Sequence, residues 1–193
     1  DGKTYTFKLR NDVSFCDGKK LTAADVVYTI KRWIDPATRS PVVWRAGPVD
    51  DVVALDDYTV EYRLKAPYSE LLFQLAQNFG IIIDKANVEA LGADFGVKGF
   101  NGTGPFCWVE WRPRNDMRLK RNPSYTWGPP QYENKGPAHV EEIVWRIVPE
   151  ETTRLAAVMT GQSQITQYVP YSGLAQIRAN RNLRVLATRE AFW

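Results

Sequence analysis

From Thr4 to Ala187, short runs with an apolar residue at every second position alternate with short runs of helical spacing. Gly, Pro, Asn or Asp closes most of them. A chain punctuated in this way stacks helices on sheet, so its class is mixed α/β. Tyr5, Phe7 and Leu9 share one face of a half-buried strand. Asp17-Gly18 makes a turn, and Thr22 with Asp25 three residues on reads as a capping box. The helix it opens carries Val26, Val27, Ile30, Trp33 and Ile34 on one stripe, and Asp35-Pro36 ends it.

Strands are expected over 49–55 and Thr59–Leu64, joined at Asp56-Asp57. Ser69 caps a short helix with Leu71, Leu72 and Leu75, and a second, near Lys85–Leu91, ends at Gly92. Gly92, Gly96, Gly99, Gly102 and Gly104 mark the best junction between two subdomains. Beyond it come a hairpin (106–111 and 117–121), an irregular loop over 122–138 and a strand over 142–148. A helix from Thr152 or Thr153 to Gly161 turns Leu155, Val158 and Met159 inward. Further strands are expected over 165–169 and 183–187, flanking a helix capped by Ser172 that carries Leu174 and Ile177.

The 193 residues are 44% hydrophobic and 24% charged, which excludes a disordered tail and leaves room for a real core. No apolar run approaches the ~18 residues of a membrane span. The net charge of +3 is mild for a nucleic-acid module. Two cysteines and one histidine are too few for a structural zinc site. Cys16 and Cys107 fit either two buried thiols or one disulfide, and the pattern leaves both open. With Asp1-Gly2-Lys3 at one end and Phe192-Trp193 at the other, the chain reads as a trimmed piece of something longer.

Catalytic chemistry finds little support. His139 stands alone in a loop with no Gly-x-Ser-x-Gly elbow to pair with it. Glu141-Glu142 and Glu150-Glu151 are neighbours that point to opposite faces if extended, so they read as solvated charges. Asn101-Gly102-Thr103-Gly104-Pro105 lacks the Lys-Ser/Thr of a phosphate loop and reads as a tight turn, although Asn101-Gly102-Thr103 is formally a glycosylation sequon. Arg112, Arg114, Arg118, Lys120 and Arg121 lie among Trp108, Trp111, Tyr125 and Trp127, a pattern able to grip single-stranded nucleic acid. Their spacing places many of the charges on one solvated strand face. Trp33 and Trp145 sit at core positions. Trp44 lies in the non-periodic stretch 40–44, where an aromatic offers a ligand a flat wall. A small hydrolase and a single-stranded nucleic-acid module remain the alternative readings.

Several motifs, in order, resemble bacterial extracellular solute-binding protein family 5, the peptide, nickel and opine receptors of ATP-binding-cassette importers. They begin with Tyr5-Thr6-Phe7-Lys8-Leu9-Arg10, Val13-x-Phe15-x-Asp17-Gly18 and Leu21-Thr22-Ala23-x-Asp25-Val26-Val27-Tyr28. Asp35-Pro36 with Ser40-Pro41, the run 53–60, Pro67-Tyr68 and Gly102-Thr103-Gly104-Pro105-Phe106 follow. Leu119-x-Arg121-Asn122-Pro123-x-Tyr125, 143–149 and 155–161 complete the series. Three positions depart from the family pattern. Cys16 stands where His, Lys or Ser is common, Cys107 follows the Gly-Pro-aromatic, and Gly161-Gln162-Ser163-Gln164 replaces Gly-Glu-x-Asp. Two departures that are both cysteine favour a disulfide in this branch.

The resemblance implies a partial, periplasmic-binding-protein-like α/β fold of the large peptide-binding type (class II), a mixed sheet with flanking helices plus an extra α+β subdomain. Residues 1–98 would be that subdomain and 99–193 part of the core layer of lobe I, the second lobe being absent. It further implies a periplasmic, monomeric receptor, without cofactor, metal or bond chemistry, that hands a small solute to a membrane permease. Peptides, opines, metal chelates and sugars are all solutes of similar proteins. The residue after Ser40-Pro41 often lines the cleft as an aromatic. Here it is Val42, and Trp44 is expected to supply the flat surface instead. Phe192 and Trp193 fall where the family chain re-enters the cleft and are expected ligand contacts.

Overall fold

The computed structural model describes residues 2–78 and 80–186. The chain divides into two compact units, Asp1–Arg112 with Met117–Val144, and Pro113–Asp116 with Trp145–Trp193.

In the first unit, β1 (Thr4–Lys8), β2 (Val49–Asp56) and β3 (Thr59–Leu64) form an antiparallel sheet in the order β1-β3-β2. The register sets Tyr5 against Tyr62, and Val52 against Tyr62 from the other side, so the expected alternation holds on both ladders. Helix α1 (Ala23–Ile34) covers the sheet. Its Ala23, Ile30 and Trp33 join Val52, Val60, Tyr62, Leu64 and Leu71 in one core. Tyr62 is buried, and its hydroxyl donates to the Ala46 carbonyl at 2.7 Å. Desolvation pushes that hydroxyl well above the ordinary tyrosine value.

The capping box forms, with the Thr22 backbone N–H donating to Asp25 Oδ2 at 3.1 Å. Helix α1 stops at Asp35, as Pro36 requires, and the Asp35 carboxylate then accepts from Ala37 N–H at 2.9 Å. Helix α2 (Leu71–Leu75) buries Leu71 and leaves Leu72 exposed. Helix α3 (Lys85–Leu91) ends at Gly92, whose φ of 53° admits glycine most readily.

Strands β4 (Phe106–Arg112) and β5 (Asp116–Arg121) form the expected hairpin, and β6 (Glu142–Arg146) joins its edge in the order β4-β5-β6. Trp145, expected in the core, is 58% exposed. It lies on an edge strand, and an alternating pattern does not reveal which face a second layer covers.

The second unit contains α4 (Glu151–Met159) and α5 (Leu174–Ala179), with Val158 and Ile177 buried. Gly173 lies against Leu155, where a Cβ would come within 2.5 Å of its Cδ2. Ser172 does not cap α5; it sits within a 3₁₀ turn, Tyr171–Gly173, that precedes the helix. Residues 165–169 and 183–186 are not strands, and Ala187 lies outside the described residues. A period-two pattern requires a ladder partner to become a strand, and none pairs with them among the described residues.

Cys16 and Cys107 are joined by a disulfide that closes a separation of 91 residues. Beside it, Cys16 N–H donates to the Gly102 carbonyl at 2.9 Å. In the chain-entropy account a closure of this length disfavours the unfolded state by about 4–5 kcal/mol. The double variant Cys16→Ser/Cys107→Ser is expected to lose most of that in urea unfolding, and reductant is expected to lower only the parent's midpoint. Equal midpoints for parent and variant would refute the assignment.

Candidate functional site

The expected turn at Asp17-Gly18 delivers Lys19 to the start of α1. Its ammonium lies 2.6 Å from Asp25 Oδ1 and 2.6 Å from Asp84 Oδ1. Both carboxylates are buried. Asn101 Nδ2 donates to Asp84 Oδ2 at 2.8 Å, and Ala86 N–H donates to Asp84 Oδ1 at 3.1 Å. Burial works against the charge on Asp84, yet hydrogen bonds from Lys19 and Asn101 and the Lys19 charge outweigh it, holding the carboxyl below the usual range. Desolvation likewise pulls Lys19 down, but its bonds to Asp25 and Asp84 and their charges raise it above the ordinary lysine value.

The same helix carries the wall of a cleft. Thr29 Oγ1 donates to the Asp25 carbonyl at 2.7 Å and accepts from Ile83 N–H at 3.0 Å, fixing the segment before α3 against α1. Thr29, Arg32, Trp33, Thr38, Ser40, Val42, Ile81 and Ile83 enclose a cleft of about 170 Å³. Val42, expected at a ligand surface, is therefore on its lining. Trp44 stands two residues on, in the 3₁₀ turn Val43–Ala46, and is 56% exposed. The Arg45 guanidinium lies over its ring at 4.5 Å and donates to Gln74 Oε1 at 2.7 Å, which braces the turn. Phe192 and Trp193 lie outside the described residues.

The other sequence candidates are engaged elsewhere. His139 is exposed, and its backbone carbonyl accepts from Arg121 at 3.4 Å. Glu142 pairs with Arg118 at 2.8 Å and Glu141 with Arg121 at 3.3 Å, so these acids neutralise part of the basic cluster. The carbonyls of Gly102, Thr103 and Gly104 accept from Cys16 N–H, the Trp127 indole and Asn122 Nδ2. A phosphate loop presents N–H groups instead. The sequon side chain, Asn101, is buried on Asp84. Among the described residues no three His, Cys, Asp or Glu side chains are grouped to hold a metal ion.

Sequence reasoning missed the Lys19–Asp25–Asp84–Asn101 network and the cleft cation Arg32. Asp25 was legible only as a cap. The Asp84 partners lie 65 and 17 residues away, and no local period encodes such a meeting.

Comparison with known proteins places this mixed α/β chain in a family. The family model for bacterial extracellular solute-binding proteins, family 5 Middle, matches residues 1–192. The chain belongs to that family, and its fold is of the periplasmic-binding-protein type. It is 31% identical over 188 residues to the glutathione-binding protein GsiB of Escherichia coli K12, covering 97% of this chain and 35% of that protein. GsiB of Pectobacterium atrosepticum is 30% identical over the same extent. Among solved structures, AgaA from A. tumefaciens R10, in complex with agropinic acid, superposes with a TM-score of 0.81 at 26% identity, covering 93% of this chain and 35% of that one. MoaA from the same source, with mannopinic acid, gives 0.81 at 28% identity, covering 92% and 34%. The chain thus spans about a third of the length of the relatives it matches.

The network carries a pH signature. Because the Asp84 value is depressed, its stabilisation is full above the unfolded carboxylate value of about 3.9 and is lost as pH falls through the folded value. The raised Lys19 contributes fully below about 10.4 and is lost as pH rises through its folded value. Asp84→Asn keeps the size and is expected to cost about 1–3 kcal/mol at neutral pH. It should also flatten the acid limb of stability measured by urea unfolding between pH 2 and 6. An unchanged acid limb would show that Asp84 does not carry it.

Proposed function

We propose that the chain is part of lobe I of an extracytoplasmic receptor that captures a small solute and delivers it to the permease of an ATP-binding-cassette importer. In this reading residues 1–98 are the extra subdomain and 99–193 part of the core layer, and Val42 and Trp44 face the solute, with Phe192 and Trp193 at the re-entrant segment. The observation that carries the reading is the exposed Trp44 ring, braced by Arg45 and Gln74 beside the Val42 cleft. An aromatic held out in water by its own support loses hydration cost when a flat or apolar solute covers it.

Family membership and the names of the relatives support the solute classes. GsiB is named for glutathione, AgaA and MoaA were solved with agropinic and mannopinic acid, and a Helicobacter pylori relative at 26% identity with the peptide STSA. Opine-like and peptide-like solutes are the leading classes. The work is differential affinity between open and closed states, without bond chemistry.

One lobe surface cannot enclose a solute. Calorimetry of the 193-residue chain with agropinic acid or glutathione is therefore expected to show no binding tighter than about 100 µM, some 5–6 kcal/mol. Native mass spectrometry of the longer protein should show a co-purified solute, and Trp44→Ala should lower its occupancy at least tenfold. Submicromolar binding by the chain alone, or a solute occupancy indifferent to Trp44, would overturn the reading.

A further inference from the structure

We propose that Arg32 makes the Val42 cleft a carboxylate subsite, so that the solute docks on this lobe through an acid group. This rests on the reading of the cleft as a solute site and names the chemistry it selects.

Arg32 is half-buried on the last turn of α1 and lines the cleft. Its guanidinium lies over the Phe95 ring at 5.6 Å, the one interaction it makes among the described residues. The other lysines and arginines that form no ion pair or hydrogen bond there are exposed to solvent. None of the acids is ion-paired with it among the described residues: Asp35 accepts from Ala37 N–H, Asp25 and Asp84 pair with Lys19, and Asp94 pairs with Lys98. A half-buried cation that forms no ion pair among the described residues is costly to desolvate, and stacking on one ring offsets only part of that cost.

The surroundings complete an anion site. Ser40 Oγ accepts from Val42 N–H at 3.4 Å, leaving its hydroxyl proton for a further acceptor. Thr38 brings a second hydroxyl to the lining. Thr29 is already committed in both directions and acts only as wall. Trp33, Val42, Ile81 and Ile83 supply the apolar remainder. A volume of about 170 Å³ takes a carboxylate and a few carbon atoms, not a whole peptide. An arginine that shares one lining with Thr38 and Ser40 suits a carboxylate, which Arg binds through two parallel N–H···O bonds.

The test is an NMR titration of the 193-residue chain with N-acetylglycine and with its neutral isostere N-acetylglycinamide. The acid is expected to shift the Arg32 Nε–H and the Ser40 and Val42 amides saturably in the millimolar range, and the amide to bind at least tenfold more weakly. Arg32→Gln should abolish the difference between the two, and Arg32→Lys should retain part of it. Equal titrations by acid and amide in the parent chain, or an acid preference that survives Arg32→Gln, would overturn the proposal. The acid-versus-amide comparison needs no variant and stands even if Arg32→Gln fails to fold. If the longer protein yields a co-purified solute without an acid group, the subsite fails while the receptor reading stands. If no solute is recovered yet the chain distinguishes acid from amide, the subsite stands while that reading fails.

Discussion

Two buried carboxylates share one ammonium, and the first unit is organised around that meeting. Asp25 belongs to α1, Asp84 precedes α3, Lys19 comes from the turn after β1, and Asn101 from the glycine-rich loop. Without Lys19 the two acids would be like charges in a poorly solvated site with no cation to offset their repulsion. A buried ion pair adds little net stability over an apolar alternative. Its effect here is geometric, because it fixes which four segments meet. The Cys16–Cys107 bond, three residues from Lys19, ties the same turn covalently to β4.

From that junction the cleft follows. Successive turns of α1 present Asp25 to the ammonium, Thr29 to the 81–83 segment, Trp33 to the core and Arg32 to the cavity. Thr29 connects the network to the wall, since its hydroxyl spans the Asp25 carbonyl and Ile83 N–H. The rim carrying Val42 and Trp44 is braced separately by Arg45 on Gln74 of α2. Floor and rim are thus held by different interactions, so a rim substitution perturbs the cleft without loosening its floor.

Local chemistry made the local structure legible. The Thr22–Asp25 box, the Pro36 stop, the Gly92 terminus and the strand alternation all depend on residues within a few positions of one another. The motif order carried the family because it samples the whole chain. What failed was whatever needed a partner. The segments 165–169 and 183–186 have strand spacing but no ladder among the described residues, and Trp145 has a core-like position in the pattern yet is exposed. At the site, the non-periodic stretch around Trp44 was visible because loop aromatics lack a packing reason. Arg32 was not, because a cation in the last turn of a helix is ordinary by sequence. Its distinction is that, half-buried, it forms no ion pair among the described residues.

That distinction also separates gripping from reacting. A general base must be held with its proton acceptor aimed at substrate, and His139 is exposed in a loop while the Glu141 and Glu142 carboxylates lie on arginines. The cleft is lined instead by an arginine, hydroxyl side chains and apolar residues, which in the proposed reading attract a solute through charge, hydrogen bonds and apolar contact. Its roughly 170 Å³ falls below the ~300 Å³ at which pockets begin to enclose a small ligand. Under the proposed reading, a solute seated here would keep most of its surface in water, so tight capture would require a second surface to close over it. In the proposed receptor, the free energy of that closure, and not the contacts in this cleft, would then set the affinity.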